Sequence, residues 1–366
     1  MLNVIYIVGK NAPTSIPLEV ADAMDRTKLN LTVATYKESG NGADYFKTPA
    51  VSIGARSFWD PWGVYNLHRF IVERQPDVIH VHHTASAFWG TILAKLVAGA
   101  AVIRTEHNNQ QHYSLPKNIL HGCSQHLADR VLCNSRDTYR NLYSLQKWAI
   151  GDRWEVAYNG IDVSRIDAAA DRAPPVFVEG LENRVLIGSV GRLVDQKNYQ
   201  RLIDAFSSVL AGVPEAHLVL IGDGENRSQL ERGAVAQGIE DRVTFVGECP
   251  RDDVYAALHE FDLFVMPSLW EGFCNAVVEA MAAGLPVVCS DISTLREVVG
   301  DAAHYADPND PADMARALIE LLEMDSSVRK QWGEKARKRA AERYTIEGTA
   351  EKYVEAYREV VRERST

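Results

Sequence analysis

Two glutamates eight residues apart, Glu271 and Glu279, flank the start of one helical stretch. The apolar run Leu263–Met266 reads as a strand that ends at Pro267. A polar loop then carries Glu271 and Gly272, and a helix-forming run from Asn275 to Ala283 stops at Gly284 before a second strand-like run, Pro286–Cys289. Eight residues of helix advance about 12 Å, so the two carboxylates can face one cleft at different depths. Between them, the amides near Phe273, Cys274 and Asn275 open the helix at its partially positive end, which suits a phosphate. A phosphate between two acids suggests a nucleotide sugar. One carboxylate would bond ribose hydroxyls, and the other would bond sugar hydroxyls or stabilise positive charge at a reacting carbon. The plain alternative is a βα crossover with two solvated acids.

A second constellation lies upstream, Gly191-Arg192-Leu193-Val194-Asp195-Gln196-Lys197-Asn198, beyond the strand-like run Val185–Val190. The planar fork of Arg192 and the point charge of Lys197 suit a diphosphate and offset the charge that a leaving nucleoside diphosphate gains. Gly222-Asp223-Gly224 allows a tight turn after another strand, but without a third glycine it is not a dinucleotide fingerprint. No Asp-x-Asp occurs anywhere in the chain.

Glu271 to Glu279 in the form Glu-Gly-Phe-x-Asn-x-x-x-Glu-Ala-Met-Ala, with the Gly-Arg-Leu and Lys-Asn upstream, resembles the motifs of the family 4 retaining glycosyltransferases. The resemblance implies an α/β, GT-B architecture, with two Rossmann-like doubly wound domains facing a central cleft. It implies transfer of a sugar from a nucleoside-diphosphate sugar to a hydroxyl acceptor with retention of configuration. Glu271 would hold the sugar hydroxyls, Glu279 the ribose, and Arg192 and Lys197 the diphosphate in place of a metal, with no cofactor beyond the donor. His107, which follows a strand, would bond the transferring sugar, with Glu106 beside it to orient the imidazole or an acceptor hydroxyl. Gly9 and Gly191 would approach the donor, and the strand end at Gly247 would hold the base through backbone groups. This chain departs from the family at Cys274, where glycine or proline is usual, and in the loop Gly9 to Ser15, where only Gly9 remains of a richer glycine set.

The rest of the chain supplies the frame. At 366 residues there is room for two domains. The reading is an N-terminal acceptor-side domain over 1–165, a Pro- and Ala-containing linker over 166–184, a donor domain over 185–344, and a last helix, about 345–366, that packs back on the first domain. In the first domain, continuous apolar strands at Asn3–Val8, Leu31–Thr35, Val78–Val81, Val102–Thr105, Arg130–Cys133 and Glu155–Tyr158 alternate with helical patterns, which implies mostly parallel sheets covered on both faces. Such sheets bind ligands at the carboxyl ends of their strands.

Other features separate function classes. A net charge of −10 argues against bulk nucleic-acid binding. Five cysteines with no Cys-x-x-Cys pair fit reduced thiols in a cytoplasmic protein, most of them packed as small apolar groups. No run approaches the apolar length that crosses a bilayer. His80, His82 and His83 tempt a metal reading, but strand alternation divides them between faces. Phe58, Trp59, Pro61, Trp62 and Tyr65 form either an apolar acceptor or lipid contact or, more commonly for such a cluster, a helix packed on the sheet. The basic C-terminal helices carry interleaved glutamates and read as solvated faces rather than a membrane patch. The expected partners are a nucleotide sugar and a hydroxyl acceptor, with lipid-linked acceptors and contact at the inner membrane face left open. The rival readings are a nucleotide-sugar epimerase on the same fold and a non-catalytic nucleotide-sugar-binding protein.

Overall fold

The computed structural model describes residues 1–10, 12, 15–37, 46–82, 84–107 and 115–365. Asn11, Pro13 and Thr14 of the loop after Gly9, together with His83 and Asn108, lie outside them. The chain divides into two compact units, Met1–Gly160 with Ile346–Thr366, and Ile161–Thr345.

In the first unit, seven strands form one sheet: β1 Leu2–Val8, β2 Leu29–Lys37, β3 Ala50–Ala55, β4 Val78–His82, β5 Ala101–Glu106, β6 Arg130–Cys133 and β7 Trp154–Val156. Their order is β3-β2-β1-β4-β5-β6-β7 and every pairing is parallel. Parallel strands need crossover helices on both faces, so the strands are apolar on both sides. β1 shows this directly. Tyr6 and Val8 enter one core with the helices Ile16–Ala23 and Ile346–Ser365, while Ile5 and Ile7 enter the other with Leu67, Phe70 and Ile71 of the helix Pro61–Arg74. β3 escapes sequence reading because its six residues are half exposed.

The terminal helix supplies Tyr353, Tyr357 and Val360 to the first core, all buried. It therefore belongs to the first unit although it follows the whole of the second.

The second unit repeats the design with six strands: β8 Val185–Val190, β9 Ala216–Ile221, β10 Val243–Gly247, β11 Leu263–Met266, β12 Val287–Ser290 and β13 His304–Ala306. Their order is β10-β9-β8-β11-β12-β13, again all parallel. The order reverses direction at β8, and the crevice at such a switch point is where open α/β sheets bind ligands.

Two sequence expectations change here. Much of the stretch read as a linker, 166–184, is folded into the second unit: the helix Val163–Ala169 buries Ile166 and Ala169, His259 Nε2 lies 2.8 Å from the Ile166 carbonyl, and Arg165 pairs with Asp252 at 2.7 Å. Prolines 174 and 175 follow that helix rather than starting a free spacer. The aromatics around residue 60 are not core packing either, since Trp59 is 62% exposed, Trp62 74% and Tyr65 51%. The helix Pro61–Arg74 turns its aliphatic residues to the sheet and leaves these rings outside.

All five cysteines are free thiols, and Cys133, Cys274 and Cys289 are buried. Among the described residues no helix is long and apolar enough to cross a membrane. The basic helix Ser326–Arg343 is tied to the fold through three of its cations, while Lys330 and Lys338 stay exposed beside Glu334 and Glu342. Arg339 donates to the Val298 and Glu297 carbonyls, Arg337 donates to the Ala282 carbonyl and pairs with Asp167, and Lys335 pairs with Asp301.

Candidate active site

The second unit's site is built from loops at the carboxyl ends of β8 and β11, adjacent in the sheet. The loop after β8 ends in a short turn Asp195–Lys197 with Asn198 left-handed at φ 56°, which suits asparagine. Asn198 Nδ2 then donates to the carbonyls of Pro267 at 3.1 Å and Pro308 at 2.7 Å, and the Leu269 N–H donates to the Gln196 carbonyl at 2.9 Å. These bonds fix one loop against the other.

They bring Lys197 to Glu271. The Lys197 ammonium donates to Glu271 Oε1 at 2.6 Å, Ser268 Oγ donates to the same oxygen at 2.7 Å, and Gln196 Nε2 reaches Oε2 at 3.4 Å. Glu271 is buried, and the Lys197 side chain is only 14% exposed. Burial works to lower the lysine's pKa, but the adjacent carboxylate outweighs it and holds the ammonium charged. Arg192 is its opposite. Its side chain is exposed and has no ion-pair partner among the described residues, so one cation is held in the protein and the other points outward.

Gly191 and Gly222 allow this loop packing. A Cβ on Gly222 would stand 2.1 Å from the Gly191 carbonyl oxygen, and one on Gly191 would meet the Tyr199 hydroxyl at 2.9 Å and Lys197 Cε at 3.1 Å. The Gly222–Gly224 turn thus serves backbone contact with the Gly191 loop, where the Leu193 N–H donates to the Asp223 carbonyl at 2.9 Å. Further along, the Gly247 carbonyl accepts the Gly222 N–H at 2.9 Å and the Phe245 carbonyl accepts from Arg227 at 3.1 Å. A register shift between Phe245 and Gly247 leaves Val246 without a ladder partner on β9.

The helix Asn275–Ala282 opens at Cys274, which sits at φ 76°, ψ 75°. This is the left-handed region that glycine occupies without penalty, so the cysteine is strained there. Its buried thiol is pushed up to about 12, by burial first and then by the charge of Glu271, and stays protonated. Phe273 beside it is buried and stacks edge-on to Tyr344 at 5.3 Å. One turn into the helix Glu279 is buried, paired with Arg251, and within 3.4 Å of the Tyr255 hydroxyl. Arg251 Nε also donates to that hydroxyl at 2.6 Å. Sequence reading missed Arg251 and Tyr255. Nothing local marks them, since Arg251 meets Glu279 across 28 positions.

In the first unit, His107 follows β5 and is half-buried. Its Nε2 lies 2.9 Å from His82 Nδ1, and the two rings are stacked at 5.2 Å. Asn134 Nδ2 donates to the His107 carbonyl at 3.0 Å. His80 and His82 share one face, as strand alternation requires, and both rings pack on Tyr6. His80 bridges the Tyr357 hydroxyl and Thr105 Oγ1, each at 2.7 Å. Burial, and then the charge of His107, push its pKa well below the usual value, so it is a neutral structural imidazole. Among the described residues no cluster could hold a metal ion. Glu106 points to the opposite face from His107. It is engaged by Arg104, by Gln125 at 3.0 Å and by His121 at 3.8 Å. Burial alone would raise its pKa, but these charges bring it to about 2. It is a buried structural anion, not an orienting group for the His107 ring.

Gly9 opens the loop after β1, with its carbonyl accepting the Lys37 N–H at 2.9 Å.

Two family models match consecutive parts of the chain, Glycosyltransferase Family 4 over 17–165 and Glycosyl transferases group 1 over 176–339. The chain belongs to the group 1, family 4 glycosyltransferases. The 2-deoxystreptamine glucosyltransferase of Streptomyces kanamyceticus is 29% identical over 48% of this chain and 46% of its own length, so this chain spans about half of that relative. The galactosyltransferase of Escherichia coli named UDP-Gal:alpha-D-GlcNAc-diphosphoundecaprenol alpha-1,3-galactosyltransferase is 25% identical over 70% of both chains. Among solved structures, Anabaena HepE in complex with UDP and glucose superposes with a TM-score of 0.82 at 20% identity, covering 97% of this glycosyltransferase and 99% of HepE. That likeness shows the fold, GT-B with two Rossmann-like domains.

Proposed function

We propose that this glycosyltransferase moves a sugar from a UDP-sugar to an acceptor hydroxyl with retention of configuration. The observation that carries the reading is the Lys197–Glu271 pair at 2.6 Å, at the strand-order switch point, with the exposed Arg192 on the same loop. Here the diphosphate would lie against Arg192, Lys197 and the amides of Phe273, Cys274 and Asn275. Glu271 would bond the sugar hydroxyls, and Glu279, fixed by Arg251 and Tyr255, the ribose. Gly9 and Gly191 would let backbone approach the donor, the strand end at Gly247 would face the base, and His107 would bond the transferring sugar.

In the transfer itself the bond from the anomeric carbon to the phosphate oxygen breaks and a bond to the acceptor oxygen forms on the same face. The acceptor proton passes to the leaving phosphate. Arg192 and Lys197 supply the charge that a metal would otherwise supply. UDP is the first nucleotide to test because the similar structures hold it. Glycan, polysaccharide and glycolipid acceptors all fit, and a lipid-linked one would bring the enzyme to the inner face of the membrane.

The test is a thermal-shift panel of UDP-, GDP- and ADP-sugars with proton NMR of the slowly released sugar. One nucleotide series should stabilise the protein, since ligands of the folded state alone raise its apparent stability. The sugar should appear first as the donor's own anomer. Glu271→Ala should lower turnover by about 10² to 10³. No stabilisation by any nucleotide sugar, or release of the opposite anomer, would overturn the reading.

A further inference from the structure

β4 ends at His82, which stands opposite Thr105 of β5 in register. Alternation along β5 sends residues 105 and 107 to one face, so the imidazole of His107, one residue past the strand, overhangs that of His82. The two rings stack with centroids 5.2 Å apart, and His82 Nδ1 lies 2.9 Å from His107 Nε2. The contact joins residues 25 positions apart, and the reading of the donor site leaves His82 without a task.

The two imidazoles are held to different degrees. His82 is fully buried, and its ring lies against Tyr6 of β1 at 4.4 Å, His80 at 4.2 Å and Tyr353 of the terminal helix at 6.1 Å. Its carbonyl also accepts from Ser86 Oγ. Neighbours on β1, β4 and the last helix thus hold this ring in one orientation. His107 is half-buried at a strand end, where packing constrains a side chain less. Its main chain is fixed by the Asn134 bond to its carbonyl, and the stack and bond to His82 act on the ring itself. His80 shows a purely structural imidazole on the same strand, since its two nitrogens end on the buried hydroxyls of Tyr357 and Thr105, each at 2.7 Å. His82 instead directs a ring nitrogen out of the core to a half-buried group.

We propose that His82 is a positioning residue for the transfer: it sets the orientation and the tautomer of His107, and through them the hydrogen bond that His107 makes to the transferring sugar. A bond between two imidazole nitrogens needs an N–H on one and a lone pair on the other. In a neutral imidazole the two nitrogens take opposite roles, so fixing the role of His107 Nε2 fixes that of its Nδ1 as well. Without His82 the ring can turn about its side-chain torsions and exchange tautomers, and only a fraction of molecules offers a sugar hydroxyl the right partner. His82 itself touches neither donor nor acceptor in this scheme. The proposal rests on the reading of His107 as the group that bonds the sugar.

The experiment compares His82→Phe and His82→Asn in the full chain. Phenylalanine keeps a ring in the stack and deletes the bond. Asparagine places an amide where Nδ1 stood, which keeps the bond and leaves a cavity. His82→Asn should therefore lose more melting temperature and His82→Phe more activity. With UDP-glucose as the probe, His82→Phe should lower the kcat of donor hydrolysis about tenfold, about 1.4 kcal/mol, at unchanged UDP affinity, and His82→Asn should stay within about threefold of the parent. NMR of the protein with isotope-labelled histidine should show His107 as one tautomer in the parent and in His82→Asn, and as a mixture in His82→Phe. Activity that falls in step with melting temperature, or a His107 tautomer that His82→Phe does not change, overturns the proposal. The tautomer measurement needs no donor and decides alone where UDP-glucose is not hydrolysed. If the parent binds no nucleotide sugar while the His107 tautomer still follows residue 82, the pairing stands and the glycosyltransferase reading fails by itself.

Discussion

The two units share one architecture and treat their surfaces in opposite ways. The second carries a net charge of −12, with 19 Lys and Arg against 31 Asp and Glu, exposes few large apolar side chains, and neutralises its site charges internally, Glu271 with Lys197 and Glu279 with Arg251. The first is nearly balanced at +2, with 20 against 18, and exposes Trp59, Trp62, Tyr65, Leu145 and Trp148. If the second unit takes a diphosphate, as proposed, its cations must be pre-placed and held against its acidic surroundings. Single exposed apolar residues cost little, whereas clusters mark contact surfaces, so the exposed rings set the first unit apart.

The sharpest way to break that comparison lies in the two cations of one loop. Lys197→Ala leaves the buried Glu271 without its counter-charge and should destabilise the second unit by about 3 kcal/mol. Arg192→Ala removes an exposed, unpaired side chain and should stay within about 0.5 kcal/mol. Both should weaken UDP binding. Urea unfolding of each variant with and without UDP separates the effects, and equal stability losses would mean that Lys197 is not held as the geometry indicates.

A pH titration tests the first unit in turn. His80 is buried and neutral, with its folded pKa well below the unfolded 6.5, by burial and then by the charge of His107. Below pH 6.5 the unfolded chain takes up a proton that the folded chain refuses. Stability is thus full above that pH and falls beneath it, at up to about 1.4 kcal/mol per pH unit. His80→Gln should flatten the first unit's unfolding profile between pH 6.5 and 5 and leave the second unit's unchanged. A profile that the substitution does not alter would show that His80 is protonated in the fold.

The smallest effect concerns backbone strain. Cys274 at φ 76° in the second unit and Gln75 at φ 44° in the first both sit in the left-handed region. Cys274→Gly and Gln75→Gly should each stabilise by about 0.5 to 1 kcal/mol, because the relief of strain exceeds the added freedom of the unfolded chain. Cys274→Ala, which keeps the Cβ, should give no gain. Calorimetry of the three variants decides, and a stabilised Cys274→Ala would point to the thiol rather than the backbone.

What the sequence determined alone was whatever is written in neighbouring residues. The strands Val185–Val190 and Leu263–Met266 stand where their apolar runs put them, because such runs are local signals. The family resemblance was legible for the same reason, since Gly191 to Asn198 and Glu271 to Glu279 are short continuous motifs. Tertiary structure alone decided the partners. Lys197 reaches Glu271 across 74 positions, and Glu279 is held by an arginine that nothing in its own segment announces. It also decided which faces stay in water: the aromatics after Asp60 look like a packed helix in sequence, yet only the sheet shows that Leu67, Phe70 and Ile71 take the core and leave Trp62 outside. The segment after Gly160 has no strand periodicity, and only its contacts with Asp252 and His259 assign it to the second unit. Pairing and burial depend on which distant segments the sheet order brings together, and local propensity carries no record of that.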